Sequence, residues 1–398
     1  MSRVLTWLTM SPAAPLDIAA GLLAQPTVPF MEDLPAEWIT RFATERGLHT
    51  HRDRAGNVVV TYNGAKAVAS HRPPLVLVAH LDHPGFVFEG DTTVGPGETV
   101  SLTFRGGLTA GHVTAGTTLA FFRRGDPYPV GTGVLLTADA DPHGRLAAAG
   151  VEVMSGEIGV DHFAMWDFPE LAPAGVIIDD ARITARACDD LLGAAAIIAA
   201  LDTVATETPS DVSVMGLFTR AEEVGFLGAL EAIRLGTVPA GALVLSLECS
   251  KALLSAPQGG GVIVRVGDRL SVFDPLLTES LRTASEQLAA DQSVAGFGYQ
   301  RKLMDGGACE ASAFCAAGYR ASGLALPLGN YHNADDRDPG IAAEHVLIAD
   351  FLSEVGLLIR LTADSAFIEA AHNITPPAWL SERMTAAHLA LGTDDAAP

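Results

Sequence analysis

Leu75-Val76-Leu77-Val78-Ala79-His80-Leu81-Asp82-His83-Pro84-Gly85-Phe86 is the stretch on which the reading of the fold turns. Five apolar residues run without a break into a cluster of polar groups, and Pro84-Gly85 closes the run. An apolar segment of this length, ended by a turn signal, reads as a buried parallel strand. Polar groups at the C-terminal end of such a strand sit where open α/β sheets put their chemistry. His80 and Asp82 are therefore the first candidates. On an extended backbone both side chains point to one face, so Asp82 can accept from one ring nitrogen while the other binds a metal. The plainer alternative is an edge histidine that its aspartate merely solvates.

The same texture recurs downstream. Leu191 to Leu201 lies within a helix expected over Asp190 to Val204, followed by a strand over Val212 to Thr219, a helix over Glu222 to Leu235 and a strand over Ala242 to Leu247. Strand and helix alternating in this way is the signature of a mostly parallel sheet flanked by helices. Upstream, Ile18 to Leu23 and Glu37 to Arg46 read as helices, and the turn Arg54-Ala55-Gly56-Asn57 feeds a strand over Val58 to Tyr62. Further on, helices are expected over Pro275 to Ala290 and Ala311 to Ala317, a strand over Gly323 to Pro327, and one long helix over Ala343 to Thr362.

Between the two halves, residues 91–175 change character. Glycine is frequent, and short alternating runs at Thr99 to Phe104, Thr117 to Phe122 and Val130 to Thr137 are separated by turn signals. Such spacing suggests a small barrel or sandwich inserted into an α/β domain formed by 1–90 and 176–398.

With 398 residues, 48% of them hydrophobic, the chain has material for a large core and more than one domain. A formal net charge of -22 argues against nucleic acid or an anionic membrane as partner, since both need a basic footprint. Cys188, Cys249, Cys309 and Cys315 form no CxxC pair, which points to a reducing, cytoplasmic setting and away from a structural zinc site. Arg3 followed by Val4 to Met10 is read as part of a first helix rather than a secretory signal, and the tail from Gly392 is expected to fray.

Four further stretches place metal-type residues at strand ends or helix starts: Asp189-Asp190, Glu222-Glu223, Glu248, and His332 within Asn330-Tyr331-His332-Asn333. Paired acids at a helix start also serve as caps or complement the helix dipole. Each alone is weak, but together they bring two histidines and several carboxylates to one sheet edge.

In order, AHLDHPGF, DDLLG, EEVGFLGA, SLECS and PLGNYHN resemble the cocatalytic dizinc exopeptidases of the M28, M20 and M42 clan. A β-domain inserted between the HxD and DD stretches is similar to the M42 aminopeptidases. The resemblance implies a dizinc exopeptidase-like α/β fold with an inserted small β-barrel or PDZ-like domain that serves dimerisation and substrate access. It further implies that Asp189 bridges two divalent ions, His80 and Glu248 completing one site and Glu223 and His332 the other, with zinc as the metal and cobalt or manganese as replacements. Asp82 would orient His80, and Glu222 would be the general base. A cis peptide is implied between Asp189 and Asp190.

The activity implied is removal of N-terminal residues from short peptides. The alternatives are a dizinc carboxypeptidase or N-acyl amino acid deacylase, and a non-catalytic relative serving as a binding scaffold. A homo-oligomer, from a dimer up to a dodecamer, goes with the resemblance. Three positions depart from the family's pattern: His83 stands where an acid follows HxD, Glu248 where M42 members have aspartate, and Gly307-Ala308-Cys309-Glu310-Ala311 where they have GGTDA. Glu at the position of Glu248 is more typical of carboxypeptidases and deacylases. Those enzymes need a cation for the substrate carboxylate, and Arg301 and Lys302 are candidates.

Overall fold

A computed structural model describes residues 13–291, 294, 296–372 and 382–387, so the expectations for Arg3, Val4 to Met10 and the tail from Gly392 lie outside the described residues. The central sheet is mixed and mostly parallel. Its strands run in the order His49–Arg52, Val58–Asn63, Ser213–Thr219, Leu75–His80, Leu243–Ser246, Arg320–Leu328, Val262–Asp268 and Tyr299–Met304, and Cys249–Lys251 pairs alongside Arg320–Leu328.

The Leu75–His80 strand is buried along its whole length, with parallel neighbours on both sides. That explains its unbroken apolar run, because both faces are covered by helices. Leu75, Leu77 and Ala79 face a core shared with the helices Leu191–Glu207 and Ile348–Thr362. Val76 and Val78 face the other way, with Ala229 and Ala232 of the Leu227–Leu235 helix and Ala311 and Phe314 of Glu310–Ala316. Leu191–Glu207 is buried around its circumference from Leu191 to Val204, which its alanine content permits. No helix among the described residues is long and apolar enough to cross a membrane.

The glycine-rich segment closes into a six-stranded barrel of Gly85–Val87, Thr99–Arg105, Leu146–Ser155, Gly131–Ala140, Thr118–Arg123 and His162–Trp166. Phe86, Phe121, Val151 and Trp166 fill its interior. The first barrel strand starts at Gly85, directly after the His80 to Pro84 segment. A separate three-stranded sheet joins Val176–Ile178, Arg182–Ala185 and Glu344–Leu347.

Two elements differ from expectation. The helix expected from Glu222 starts at Leu227, because the amides of Glu222 and Glu223 are taken by the Asp82 carboxylate and the chain turns before it coils. The helix expected from Ala343 starts at Ile348. Residues Glu344–Leu347 pair instead with Arg182–Ala185, and the Glu344 carboxylate is buried. The strands Val262–Asp268 and Tyr299–Met304 were not anticipated.

Candidate metal centre

Strand register brings the motifs together. His80 lies beside Thr219 on the adjacent parallel strand, and Ser246 lies beside Val78. Glu222 and Glu223 therefore leave one strand, and Glu248 another, at the same sheet edge as His80. Asp189 enters the same edge just ahead of the buried helix, through a cis peptide to Asp190. Asp190 caps that helix, accepting from the Gly193 amide at 3.2 Å.

Each oxygen of the Asp189 carboxylate faces a different imidazole. Oδ1 is 3.5 Å from His80 Nε2, and Oδ2 is 3.5 Å from His332 Nε2. Glu223 Oε1 is 3.2 Å from His332 Nε2, and Glu222 Oε2 is 4.0 Å from His80 Nε2. Ligand atoms of His80, Asp189 and Glu248 lie within 4.8 Å of one another, and so do those of Asp189, Glu223 and His332. Asp189 is common to both groups.

The donor set fits metal ions. His332 Nδ1 lies 2.5 Å from the Gly107 carbonyl, which can only accept, so in the neutral ring the proton is on Nδ1 and Nε2 presents a lone pair. His80 is held likewise, Nδ1 being 3.0 Å from the Asp82 carbonyl. Both Nε2 atoms thus face carboxylate oxygens, an arrangement stabilised either by a proton on Nε2 or by a metal cation between them. Glu223 Oε1 and Glu248 Oε1 receive no hydrogen bond among the described residues, as expected of oxygens kept for a metal.

Electrostatics point the same way. Burial alone would lower the His80 pKa, but Glu222 and Asp189 outweigh it and hold it well above the ordinary value. His332 is raised in the same way, with Glu223 and Asp189 overcoming burial. For Asp189, burial opposes ionisation, yet His332 and His80 bring the carboxyl below its usual range. Burial pushes Glu222 well above the carboxylate range and Glu248 up to about 8. The pocket carries an excess of acid that cations would relieve.

Asp82 supports the centre by a different route from the one expected. Its main-chain carbonyl holds the His80 ring, while its carboxylate is 3.7 Å from Nδ1 and accepts the amides of Glu222 at 2.9 Å and Glu223 at 3.1 Å. The side chain therefore positions the paired glutamates. His83, the departure from an acid, spans between the Asp189 carbonyl at 2.9 Å and Asn333 Oδ1 at 3.0 Å. The Asp53 to Asn57 turn also reaches the site, since Asn57 accepts from the Arg220 amide and donates to Gly228 across the loop that carries the glutamates.

Two contributors, Glu344 and Arg265, escaped the sequence reading, and a third, Glu310, stood there only as a departure from GGTDA. Glu344 accepts the amides of Cys188 at 2.7 Å, Asp189 at 3.1 Å and His332 at 2.8 Å, tying both halves of the centre to one carboxylate. Glu310 is buried, with Thr219 beside it, and burial pushes its pKa to about 7. Arg265 is 3% exposed, its Nε has no hydrogen-bond partner among the described residues, and its guanidinium lies over the Phe273 ring at 6.0 Å and feels the charges of Glu248 and Asp268. Across the sheet Arg265 pairs with Gly323 and Gly323 with Ser246, two residues before Glu248. A Cβ on Gly323 would stand 3.4 Å from Arg265 Cδ, so the glycine leaves a lane for the side chain. An arginine interrupting the apolar run Val262 to Val264 was the available signal. Arg301 and Lys302 instead belong to the edge strand, away from the centre.

A model of the M42 glutamyl aminopeptidase family matches residues 157–337. The cytosol non-specific dipeptidase of Escherichia coli (strain K12) is 38% identical over 73 residues, 18% of this chain and only 15% of that protein. Among solved structures, an aminopeptidase from the archaeon Desulfurococcus kamchatkensis superposes with a TM-score of 0.72 at 19% identity, covering 92% of this chain and 99% of that one. The TET1 peptidase of Pyrococcus horikoshii, described as assembling into a tetrahedron or a large octahedral shell, gives 0.66 at 18% identity over 88% and 99% of the two chains. The structural likenesses bear on the fold, and the M42 glutamyl aminopeptidase family match spans residues 157–337, somewhat less than half of the chain.

Proposed function

We propose that this chain is a metal-dependent aminopeptidase that releases N-terminal residues from short peptides. The observation that carries the reading is Asp189, whose two oxygens address two imidazoles, each closing a separate three-ligand group. His80, Asp189 and Glu248 would hold one divalent ion, and Asp189, Glu223 and His332 the other. Mixed imidazole and carboxylate donors suit zinc, with cobalt or manganese able to replace it. When bound, such a pair polarises a water and the substrate carbonyl.

The rest of the chemistry falls to the protein. Glu222 is buried beside His80, and burial raises its pKa above the ordinary carboxylate range, so its Oε2 would take the proton of the attacking water and return it to the leaving nitrogen. Asp82 keeps Glu222 and Glu223 in register through their amides. Glu310, a buried carboxyl close enough to feel the charge of His80, supports recognition of a substrate ammonium. Arg265 favours a second reading, in which a substrate carboxylate is bound near Glu248 as a carboxypeptidase or deacylase requires.

The barrel is proposed to mediate assembly, from a dimer up to a dodecamer, and to shape substrate access. Tyr128, Met154 and Val160 expose apolar surface on it, and the P. horikoshii relative forms shells. A cytoplasmic setting agrees with four free thiols, three of them buried.

Metal analysis together with a screen of free-amino, N-acylated and C-amidated dipeptides tests the reading. Two ions per chain, cleavage that needs a free amine, and a Glu222→Gln variant that keeps its metals but loses turnover are expected. Unchanged activity in Glu222→Gln would remove the proposed base. Cleavage of N-acyl substrates that needs a free carboxylate would replace the aminopeptidase by the deacylase.

A further inference from the structure

The two imidazoles of the centre are held by carbonyls of very different origin. His80 Nδ1 is held at 3.0 Å by the carbonyl of Asp82, two residues away in the same segment. His332 Nδ1 is held at 2.5 Å by the carbonyl of Gly107, which belongs to the barrel and lies 225 residues away. Gly107 follows the Thr99–Arg105 strand, whose last residue pairs with Gly85 directly after the His80 to Pro84 segment.

The position of that carbonyl depends on Gly106. Its φ is +121°, a conformation that side chains rarely adopt, and an added Cβ would lie 2.7 Å from Pro84 Cβ. Any residue but glycine would have to lift the loop from Pro84 and carry the Gly107 carbonyl with it. At Gly107 itself an added Cβ would meet the His332 ring at an ordinary 3.6 Å, so the carbonyl rather than the missing side chain matters there.

We propose that the Gly106-Gly107 loop of the barrel is a positioning element for His332, so that metal affinity at the Asp189, Glu223 and His332 group depends on how the barrel is seated. The His80, Asp189 and Glu248 group takes its ring support from its own segment rather than from the loop. The inference rests on the two-metal reading given above.

Zinc titration calorimetry of the chelator-treated protein, with metals per chain counted by plasma mass spectrometry, tests it without recourse to activity. In Gly106→Ala, one of two ions should bind about 10- to 100-fold more weakly, the usual effect of losing a group that orients a metal-bound histidine, while the other keeps its affinity. Two variants should match the wild type. Gly107→Ala keeps the carbonyl. Gly116→Ala introduces a side chain at a φ of +94° in the same barrel with nothing within 4 Å.

Wild-type affinity for both ions in Gly106→Ala overturns the proposal, and so does equal weakening of both. Fewer than two ions on the wild-type chain instead defeats the two-metal reading and this inference with it. If Gly106→Ala does not fold, nitrogen spectra of the histidine-labelled wild type decide. A hydrogen-bonded Nδ1 proton on His332 in the metal-bound protein is required, and a proton on Nε2 refutes the arrangement.

Discussion

Glu354 offers a prediction whose size follows from the structure alone. It sits on the Ile348–Thr362 helix, fully buried, and neither carboxylate oxygen has a hydrogen-bond partner among the described residues. Four residues earlier Asp350 is also buried, but it accepts the amides of Gly259 at 2.8 Å and Gly261 at 2.7 Å. Lacking any such donors, Glu354 is pushed by burial from an ordinary 4.5 up to about 8. A folded pKa above the unfolded one means that the native state keeps a proton the unfolded chain releases. Stability is then greatest below pH 4.5 and is lost as pH rises to about 8. At about 1.4 kcal/mol per pH unit the whole interval amounts to about 5 kcal/mol, and the part reached by neutral pH to about 3 kcal/mol. Glu354→Gln removes the titration while keeping the shape. Urea unfolding of the chelator-treated proteins from pH 5 to 9 should show the variant gaining on the wild type by about 1.4 kcal/mol per unit up to about pH 8, and no further above it. Curves that stay parallel over this range would refute the argument that Glu354 is buried as a neutral acid.

Glu344→Ala leaves the amides of Cys188, Asp189 and His332 without their acceptor. It should destabilise the fold by about 3 kcal/mol or more in denaturant titrations and weaken metal binding at the same time. Arg265→Met should raise KM about 10- to 100-fold for substrates that place a carboxylate beside Glu248, the worth of a charge-assisted hydrogen bond, and leave uncharged amides near wild type. Paired assays of Glu- and Gln-amides, and of free and amidated dipeptides, read the difference and locate the carboxylate; equal effects on all of them would make Arg265 structural.

What could be read from the sequence was local. Leu75 to Ala79 ends in His80 because a strand with two parallel neighbours is apolar until it reaches the sheet edge, and Leu243 to Leu247 ends in Glu248 for the same reason. Asp189-Asp190 stood out because acids precede the long alanine-rich helix. Where distant groups intervene, the pattern misled. Glu222 to Phe226 has helical spacing but gives its first two amides to Asp82, 140 residues away. Glu344 opens a run that continues smoothly into a helix, yet it is drawn into a strand whose first side chain must reach Asp189. Val262–Asp268 was overlooked because Arg265 and Asp268 break its apolar run, and that break marks a buried arginine whose charge acts on Glu248.

Among the unpartnered buried oxygens, those of Glu223 and Glu248 contrast with those of Glu354. Those of Glu223 and Glu248 belong to three-ligand groups around Asp189, so bound cations would convert their desolvation cost into binding energy. Glu354 lies behind the centre, in no such group, and the cheapest state open to it is a retained proton. The same physical penalty is therefore relieved in two ways within one core. Divalent ions should stabilise the chain by relieving the first kind, about 2.7 kcal/mol at a free concentration 100 times Kd, and leave the stability cost of the second unchanged.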